Sequence, residues 1–443
     1  MEFNRPRQLR VSAGNPKRRT PLDLVMNTRI GKLLGKLGIA PRPASGEGLL
    51  DLAGALLSLR GKASGPALAS TFFDLYEASD MAARLAFLGQ IHGLYPQDST
   101  AIEQAIARWN DKRDERATQR LHDATQSPCA RLIGMLNLAP DGTRRLLAMR
   151  TDLLGAPERT PGLAALDEVF EDAFSAWFNA GFLEMRPISW NSSAALLERI
   201  IRYEAVHSIA GWDDLRGRLQ PADRRCYGFF HPQMEDDPLI FVEVALTHEL
   251  PGAIHQIIAD PRTVIDPHGA RCAIFYSISN CQDGLRGIPF GNYLIKRVVG
   301  LLQQELPQLD TFATLSPVPG FARWLSNELG KGAPAPAGTE LRTLAARYLV
   351  TGRSPKGTVL DPVARFHLGN GARLEAVHTD ADLSAKGLRQ SHGVMVNYLY
   401  DLAEIEANHF ALAELGTVAA SKAVQTLLEP AKSENGKKKK AAA

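Results

Sequence analysis

The chain has 443 residues, 45% of them hydrophobic and 22% charged, with a formal net charge of +3. That length exceeds the usual size of one hydrophobic core and calls for two domains. So small a charge excludes a dedicated nucleic-acid binder and leaves a polyanionic small molecule open.

The four cysteines, Cys129, Cys226, Cys272 and Cys281, form no CxxC pair. They give neither a disulfide framework nor a zinc-ligand pattern, and a reducing compartment is the expected home. Residues 1–20 carry Arg5, Arg7, Arg10, Lys17, Arg18 and Arg19 against one acid, Glu2. They read as a flexible basic arm, with an organelle transit peptide as the alternative. No apolar run approaches the roughly 18 residues of a membrane span, and no secretory apolar core follows the basic start.

From residue 21 to 181 the pattern is helical. Amphipathic stretches at 48–60, 66–92, 99–124 and 141–154 are separated by "YPQDST", "QSP" and "APDG". In "LAALDEVFEDAFSAWFNAGF" the residues Leu166, Val169, Phe170, Phe174 and Trp177 recur at helical spacing. Asp167, Glu168, Glu171 and Asp172 fall on other faces, and Gly181 is the expected stop. This segment gathers no set of catalytic residue types and is expected to pack or oligomerise.

After Gly181 the texture changes. "LIFVEVALT" (239–247) and "CAIFYSIS" (272–279) are apolar, β-branched and aromatic-rich runs bounded by turn residues, the mark of buried strands. "NYLIKRVVGLLQQEL" puts Leu294, Ile295, Val298, Val299 and Leu302 on one helical stripe, and "TFATL" (311–315) follows as a strand. The second domain is therefore mixed. "GKGAPAPAGTE" (330–340) reads as a linker or lid-like loop, and residues 431–443 as a solvated basic tail.

Three glycines, Gly284, Gly287 and Gly291, stand between the 272–279 strand and the following helix in "CQDGLRGIPFGNYLIK". Glycines there let a backbone approach a ligand at a helix N-terminus, a site that favours phosphate, and Arg286 adds a charge-assisted donor. The spacing matches neither a Rossmann fingerprint nor a P-loop. Further on, Pro317 and Pro319 in "TLSPVPGF" hold Ser316 in an extended conformation at the exit of a strand. That exit is either a stiff cap or a hydroxyl aimed at a ligand. A strand, anion-binding turn, helix and next strand are together similar to the core of the GNAT-type acetyltransferase fold, in which Ser316 would stand beside an acyl group. "FHLGNGA" places His367 before an expected hairpin turn, and "SHGVMVNYLYDL" places Asn397, Tyr398 and Tyr400 at an expected helix start.

"FYSISNCQDGLRGIPFGNYLIKRVV", "LSPVPGF", "FHLGNGA" and "VMVNYLY" occur in this order, together with "RPISWNSS", "EAVHSIAGWDDL" and "FVEVALT". In this the chain resembles the malonyl-CoA decarboxylase family over nearly its whole length beyond the basic arm. The resemblance implies an α+β protein: an all-helical bundle at residues 21–181, partly used for oligomer contacts, then a GNAT-like mixed catalytic domain at 182–430. It implies conversion of malonyl-CoA to acetyl-CoA and carbon dioxide without biotin, metal or other cofactor. The family's catalytic serine falls on Ser316, its catalytic histidine on His367 and its supporting tyrosine on Tyr400. Its CoA-contacting loop falls on Arg286, Gly287, Ile288, Pro289, Phe290, Gly291 and Asn292. Where members of the family carry an acidic residue in that loop this chain has Pro289, and it ends in alanines rather than a peroxisomal Ser-Lys-Leu.

Decarboxylation of a malonyl thioester needs donors for the enolate oxygen and an acid that protonates C2. His367, whose imidazole ordinarily titrates near neutral pH, is the expected proton donor. Ser316 is expected to contact the malonyl group and to accept or relay a proton, and Tyr400 to orient one of the two. Phe321 and Phe366 are expected to supply apolar walls. The partners expected are malonyl-CoA and acetyl-CoA, with neither nucleic acid nor membrane, in a cytoplasmic homo-oligomer, dimer or tetramer, joined through the helical domain; the mitochondrial matrix is the alternative location. The competing readings are a GNAT-like acyltransferase and a non-catalytic CoA-binding regulator.

Overall fold

The computed structural model describes residues 46–259, 261–288, 294–330 and 332–429. Their contacts divide into two units, the first ending at Phe174 and the second beginning at Ser175. The basic arm, the basic tail and Pro289, Phe290, Gly291 and Asn292 of the expected CoA loop lie outside the described residues.

The first unit is helical, and its helices are shorter than the apolar periodicity predicts. The expected 66–92 stretch is two helices, Leu59–Ala78 and Met81–Leu94, broken where the Asp80 carboxylate accepts from the Ala83 N–H. The 99–124 stretch breaks at Arg113, which takes a left-handed φ of 47°, and Asp114 caps the helix that follows. Helix Pro128–Leu136, absent from the sequence reading, buries Cys129, Leu132, Ile133 and Leu136. Asp167 corrects another expectation. It is 2% exposed rather than on a solvated face, because Arg150 Nε (2.8 Å) and Arg159 Nη2 (2.6 Å) neutralise it. Helix Pro161–Trp177 ends before Gly181.

The second unit is built on one eight-stranded mixed sheet. Its strands are β1 (Glu184–Pro187), β2 (Arg224–Phe230), β3 (Ile240–Thr247), β4 (Cys272–Asn280), β5 (Thr311–Thr314), β6 (Ser316–Pro317), β7 (Arg373–His378) and β8 (Met395–Leu399). The order is β1-β2-β3-β4-β5-β8-β6, with β7 also on β8. β1 to β4 are antiparallel, while β4 and β5 are parallel and joined through helix Leu294–Glu305, whose stripe of Leu294, Ile295, Val298, Val299 and Leu302 is buried as predicted. This is the strand, helix and parallel-strand core expected of an acetyltransferase-type domain. On one face Ala245, Ile274, Ala313, Leu315 and Met395 form a continuous apolar cluster.

Two features open the middle of the sheet. The β3 register passes over Tyr276, because Glu243 faces Ser277 while Val244 faces Phe275. Such a bulge sharpens the local twist of β4. The pairing of β4 with β5 stops at Phe275 and Thr314, so Tyr276 to Asn280 run on without β5, while the chain after Leu315 turns away to pair Ser316 with Val396 of β8. β4 and β5 therefore part just before Ser316.

Candidate active site

Ser316 is 5% exposed and sits on a two-residue strand, held on one side by β8 and on the other by the rigid Pro317 and Pro319. Its Oγ donates to Thr314 Oγ1 at 2.8 Å and lies 3.2 Å from His367 Nε2. On the far side of the ring, His367 Nδ1 is 2.8 Å from the Tyr400 hydroxyl. The structure thus brings together all three residues singled out from the sequence, 51 and 33 positions apart along the chain.

The hydroxyl directions settle the tautomer. Ser316 spends its proton on Thr314, so the contact with His367 requires a proton on Nε2, and Nδ1 must accept from Tyr400. The result is one directed chain, Tyr400 O–H to Nδ1, Nε2–H to Ser316 Oγ, Ser316 O–H to Thr314 Oγ1. Thr314 Oγ1 in turn accepts the Tyr398 N–H at 3.2 Å.

Two local corrections follow from the backbone. His367 is on helix Pro362–Gly369, not beside a hairpin: Asp361 caps that helix by accepting from the Val363 and Ala364 N–H groups, and Asn370 ends it. Gly371 then turns the chain at φ +81°, where a Cβ would lie 2.2 Å from the Ile405 carbonyl oxygen. Tyr398 and Tyr400 are not at a helix start. Tyr398 lies within β8, and Tyr400 follows it with its N–H on the Phe312 carbonyl at 2.8 Å.

Other buried groups support the three, and of these only Asp361 gave no signal of its own in the sequence. The Asp361 carboxylate also accepts the Gly320 N–H at 3.1 Å, tying the turn that carries Ser316 to the helix that carries His367. The Tyr398 ring stacks on the His367 imidazole at 4.7 Å. Asn397 braces β5 by donating to the Thr314 carbonyl at 2.9 Å. Phe366 lies edge-on to His367 as an apolar wall, whereas Phe321 is fully buried in a cluster with Trp324 and Tyr348.

The expectation that His367 titrates near neutral pH is not met. Burial alone pulls its imidazole down from 6.5 to about 3, so the ring is neutral in the folded protein at pH 7. The helix C-terminus, which favours an imidazolium, does not offset the loss of water. Burial likewise holds the Tyr400 phenol well above its usual range. Because the folded pKa of His367 lies below the unfolded value, the unfolded chain binds more protons between about pH 3 and 6.5, and stability is lost as pH falls through that window. The loss is about 1.4 kcal/mol per pH unit while this group titrates. Urea midpoints measured between pH 7 and pH 5 are therefore expected to fall more steeply for wild type than for His367→Asn. Parallel slopes would contradict a buried neutral imidazole.

Upstream of the site, Asp283–Leu285 forms a short 3-10 turn, and Gly287 at φ +87° adopts the left-handed conformation that favours glycine. Ile288 is buried, and Arg286 is exposed, 3.6 Å from the Asp283 carboxylate. A separate cavity of about 590 Å³ is lined by Pro187, Leu219, Arg224, Tyr227 and Glu305 among others and contains none of the candidate residues.

The comparisons with known proteins converge. The malonyl-CoA decarboxylase C-terminal domain matches residues 181–340 and 335–438, and the malonyl-CoA decarboxylase N-terminal domain matches residues 95–178. The mitochondrial malonyl-CoA decarboxylase of Mus musculus is 32% identical over 414 residues, covering 81% of this chain and 84% of that protein. Two crystal structures of malonyl-CoA decarboxylases, from Rhodopseudomonas palustris and Agrobacterium vitis, are each 46% identical, with TM-scores of 0.80 and 0.81. They cover 87% and 86% of this chain and all of their own.

Proposed function

The chain belongs to the malonyl-CoA decarboxylase family and is a carboxy-lyase that releases carbon dioxide from malonyl-CoA, and from that premise we propose that Ser316, His367 and Tyr400 carry the reaction. The observation that supports this assignment most is the single directed hydrogen-bond chain through three buried side chains just beyond the point where β4 and β5 part.

When the C–C bond to the carboxylate breaks, its electron pair passes into the thioester and leaves an enolate. The substrate is its own electron sink, so this reading requires neither biotin nor a metal. Ser316 swings its proton from Thr314 to the enolate oxygen, a preorganised donor worth on the order of 3 kcal/mol. His367 then gives its Nε2 proton to C2 as Tyr400 passes its own to Nδ1, and the one proton consumed per turnover is returned from water, which neutralises the Tyr400 phenolate and resets the ring to the Nε2–H form. A neutral imidazole suffices as acid because a carbanion beside a thioester is strongly basic. Among the described residues the partners of Ser316, His367 and Tyr400 are uncharged, and burial of such a set keeps it from stabilising the ionised carboxylate of the substrate as much as the transition state.

The reading is tested by incubating the protein with malonyl-CoA and a chelator, without any acyl acceptor, and following the products by mass spectrometry. Equimolar acetyl-CoA and carbon dioxide are expected. Intact malonyl-CoA would favour a binding regulator, and turnover only on adding an acceptor would favour an acyltransferase.

The segment Arg286 to Asn292 is assigned to the CoA pyrophosphate, supported by the left-handed Gly287 and the exposed guanidinium of Arg286 upstream of helix Leu294–Glu305. Arg286→Ala is expected to weaken CoA affinity about tenfold, the worth of one charge-assisted hydrogen bond, with kcat at saturation within about twofold of wild type. Steady-state kinetics decide this, and a change confined to kcat would contradict the placement. The helical unit is assigned to contacts between copies of the chain, in line with its exposed Met81, Leu94, Ile106 and Leu138. Four buried thiols with no disulfide agree with a reducing compartment, the cytoplasm or a mitochondrial matrix.

A further inference from the structure

Thr314 is the last residue of β5 and is fully buried. β5 pairs with β8 at Ala313 and Leu399, and one residue further on the Thr314 side chain takes the place of a ladder bond. The Tyr398 N–H, which a regular ladder would aim at a main-chain carbonyl, donates to Thr314 Oγ1 at 3.2 Å, while the Thr314 carbonyl accepts from Asn397 Nδ2 at 2.9 Å. The same Oγ1 accepts the Ser316 hydroxyl at 2.8 Å, so both of its acceptor sites are in use. On its other side Ser316 Oγ lies 3.2 Å from His367 Nε2. A serine beside a histidine ordinarily gives its proton to the ring and becomes a nucleophile. Here the serine proton points the other way.

We propose that Thr314 is a positioning residue that makes Ser316 a hydrogen-bond donor to the reacting thioester rather than a nucleophile: Thr314 Oγ1 holds the Ser316 proton off His367, so that Nε2 keeps its own. The serine has one proton to place. Among the described residues its two side-chain hydrogen-bond partners are Thr314 Oγ1 and His367 Nε2. Without the threonine oxygen the proton turns to Nε2, and the ring proton moves to Nδ1, against the Tyr400 oxygen 2.8 Å away. The ring then has nothing to give to C2. The strength of the acceptor matters as much as its place. A neutral hydroxyl is a weaker acceptor than an oxyanion, so Ser316 transfers its hydrogen bond to the thioester oxygen as charge develops there. A carboxylate in the place of Thr314 would compete with the substrate for that bond.

This inference rests on the relay assigned above, and its test reads both the ring and the dependence on Ser316. In ¹⁵N-histidine-labelled full-length protein without substrate, two-bond ¹H–¹⁵N spectra report which ring nitrogen of His367 is protonated, with His367→Asn giving the assignment. Wild type is expected to show the Nε2–H form. Thr314→Val, which keeps the shape and removes the oxygen, is expected to shift the ring toward Nδ1–H and to lower kcat about 10²-fold with KM within about twofold. Thr314→Ser, which restores the oxygen, is expected to keep the Nε2–H ring and a kcat within about threefold of wild type. Valine also leaves the Tyr398 N–H without its acceptor, so the kinetics are repeated in the Ser316→Ala background, where lost packing still tells but the proposed effect has nothing to act through. There Thr314→Val is expected to change kcat by less than about threefold. An Nε2–H ring in folded Thr314→Val overturns the proposal, as does a loss of kcat that is equal in the two backgrounds. If the valine variant does not fold, wild type and Thr314→Ser decide, and an Nδ1–H ring in either overturns it. Failure of the decarboxylase reading would show separately, as wild-type protein that leaves malonyl-CoA intact.

Discussion

His367→Asn lowers kcat by about 10³-fold and leaves the affinity for CoA within about twofold. The size follows from the loss of a positioned acid, and the selectivity from where the ring sits: 3% exposed, with its two nitrogens against Ser316 and Tyr400. Asparagine can place one amide hydrogen near Ser316, but it cannot pass a proton from Tyr400 to C2. The pH profile adds a second reading. Since burial holds the imidazole at about 3, wild-type kcat has no limb near pH 6.5 from this group. Rates near wild type in His367→Asn, or a limb near pH 6.5 that this substitution removes, would contradict the assignment.

Ser316→Ala lowers kcat by about 10²- to 10³-fold, the loss expected when one oxyanion donor is removed. Its effect on CoA binding is expected to be small, because the hydroxyl is engaged with Thr314 and His367. The variant also leaves the His367 Nε2–H without an acceptor in the free protein, at a stability cost of about 1–3 kcal/mol. Thermal unfolding of the variant separates that cost from the kinetic one: a protein still folded at the assay temperature and slow at saturating malonyl-CoA is the expected result, and one that is folded and fast contradicts it.

How much of this site could be read from the sequence depends on whether the signal was local. Ser316 was legible because two prolines two residues apart restrict the chain around it, and the helix Leu294–Glu305 because its stripe is regular. The pairing of Ser316 with His367 was not legible from residues alone. It depends on Asp361 reaching Gly320 across 41 residues, and the roles of His367 and Tyr400 came with the family resemblance. "GNGA" was read as a hairpin turn because glycine after asparagine serves equally in a hairpin and at a helix C-terminus; both need a left-handed residue, here Gly371. In "VMVNYLY" the alternation of Val394, Val396, Tyr398 and Tyr400 is a strand signal, hidden because the strand is covered on both faces: Met395 and Asn397 between them are also buried, and Leu399 partly so. Asp167 misled for a related reason. Periodicity assigns a charge to the surface, and only the fold reveals the arginines that neutralise it inside.

The central claim is that Ser316 and His367 act as one unit, and a double-mutant cycle on kcat tests it most directly. Groups in one relay lose most of their effect together, so the double variant Ser316→Ala, His367→Asn is predicted to turn over within a few-fold of the slower single variant. Losses that multiply, so that the double variant is slower by the product of the two single effects, would mean that the two side chains act independently and that the chain from Tyr400 to Thr314 is not the path of the proton.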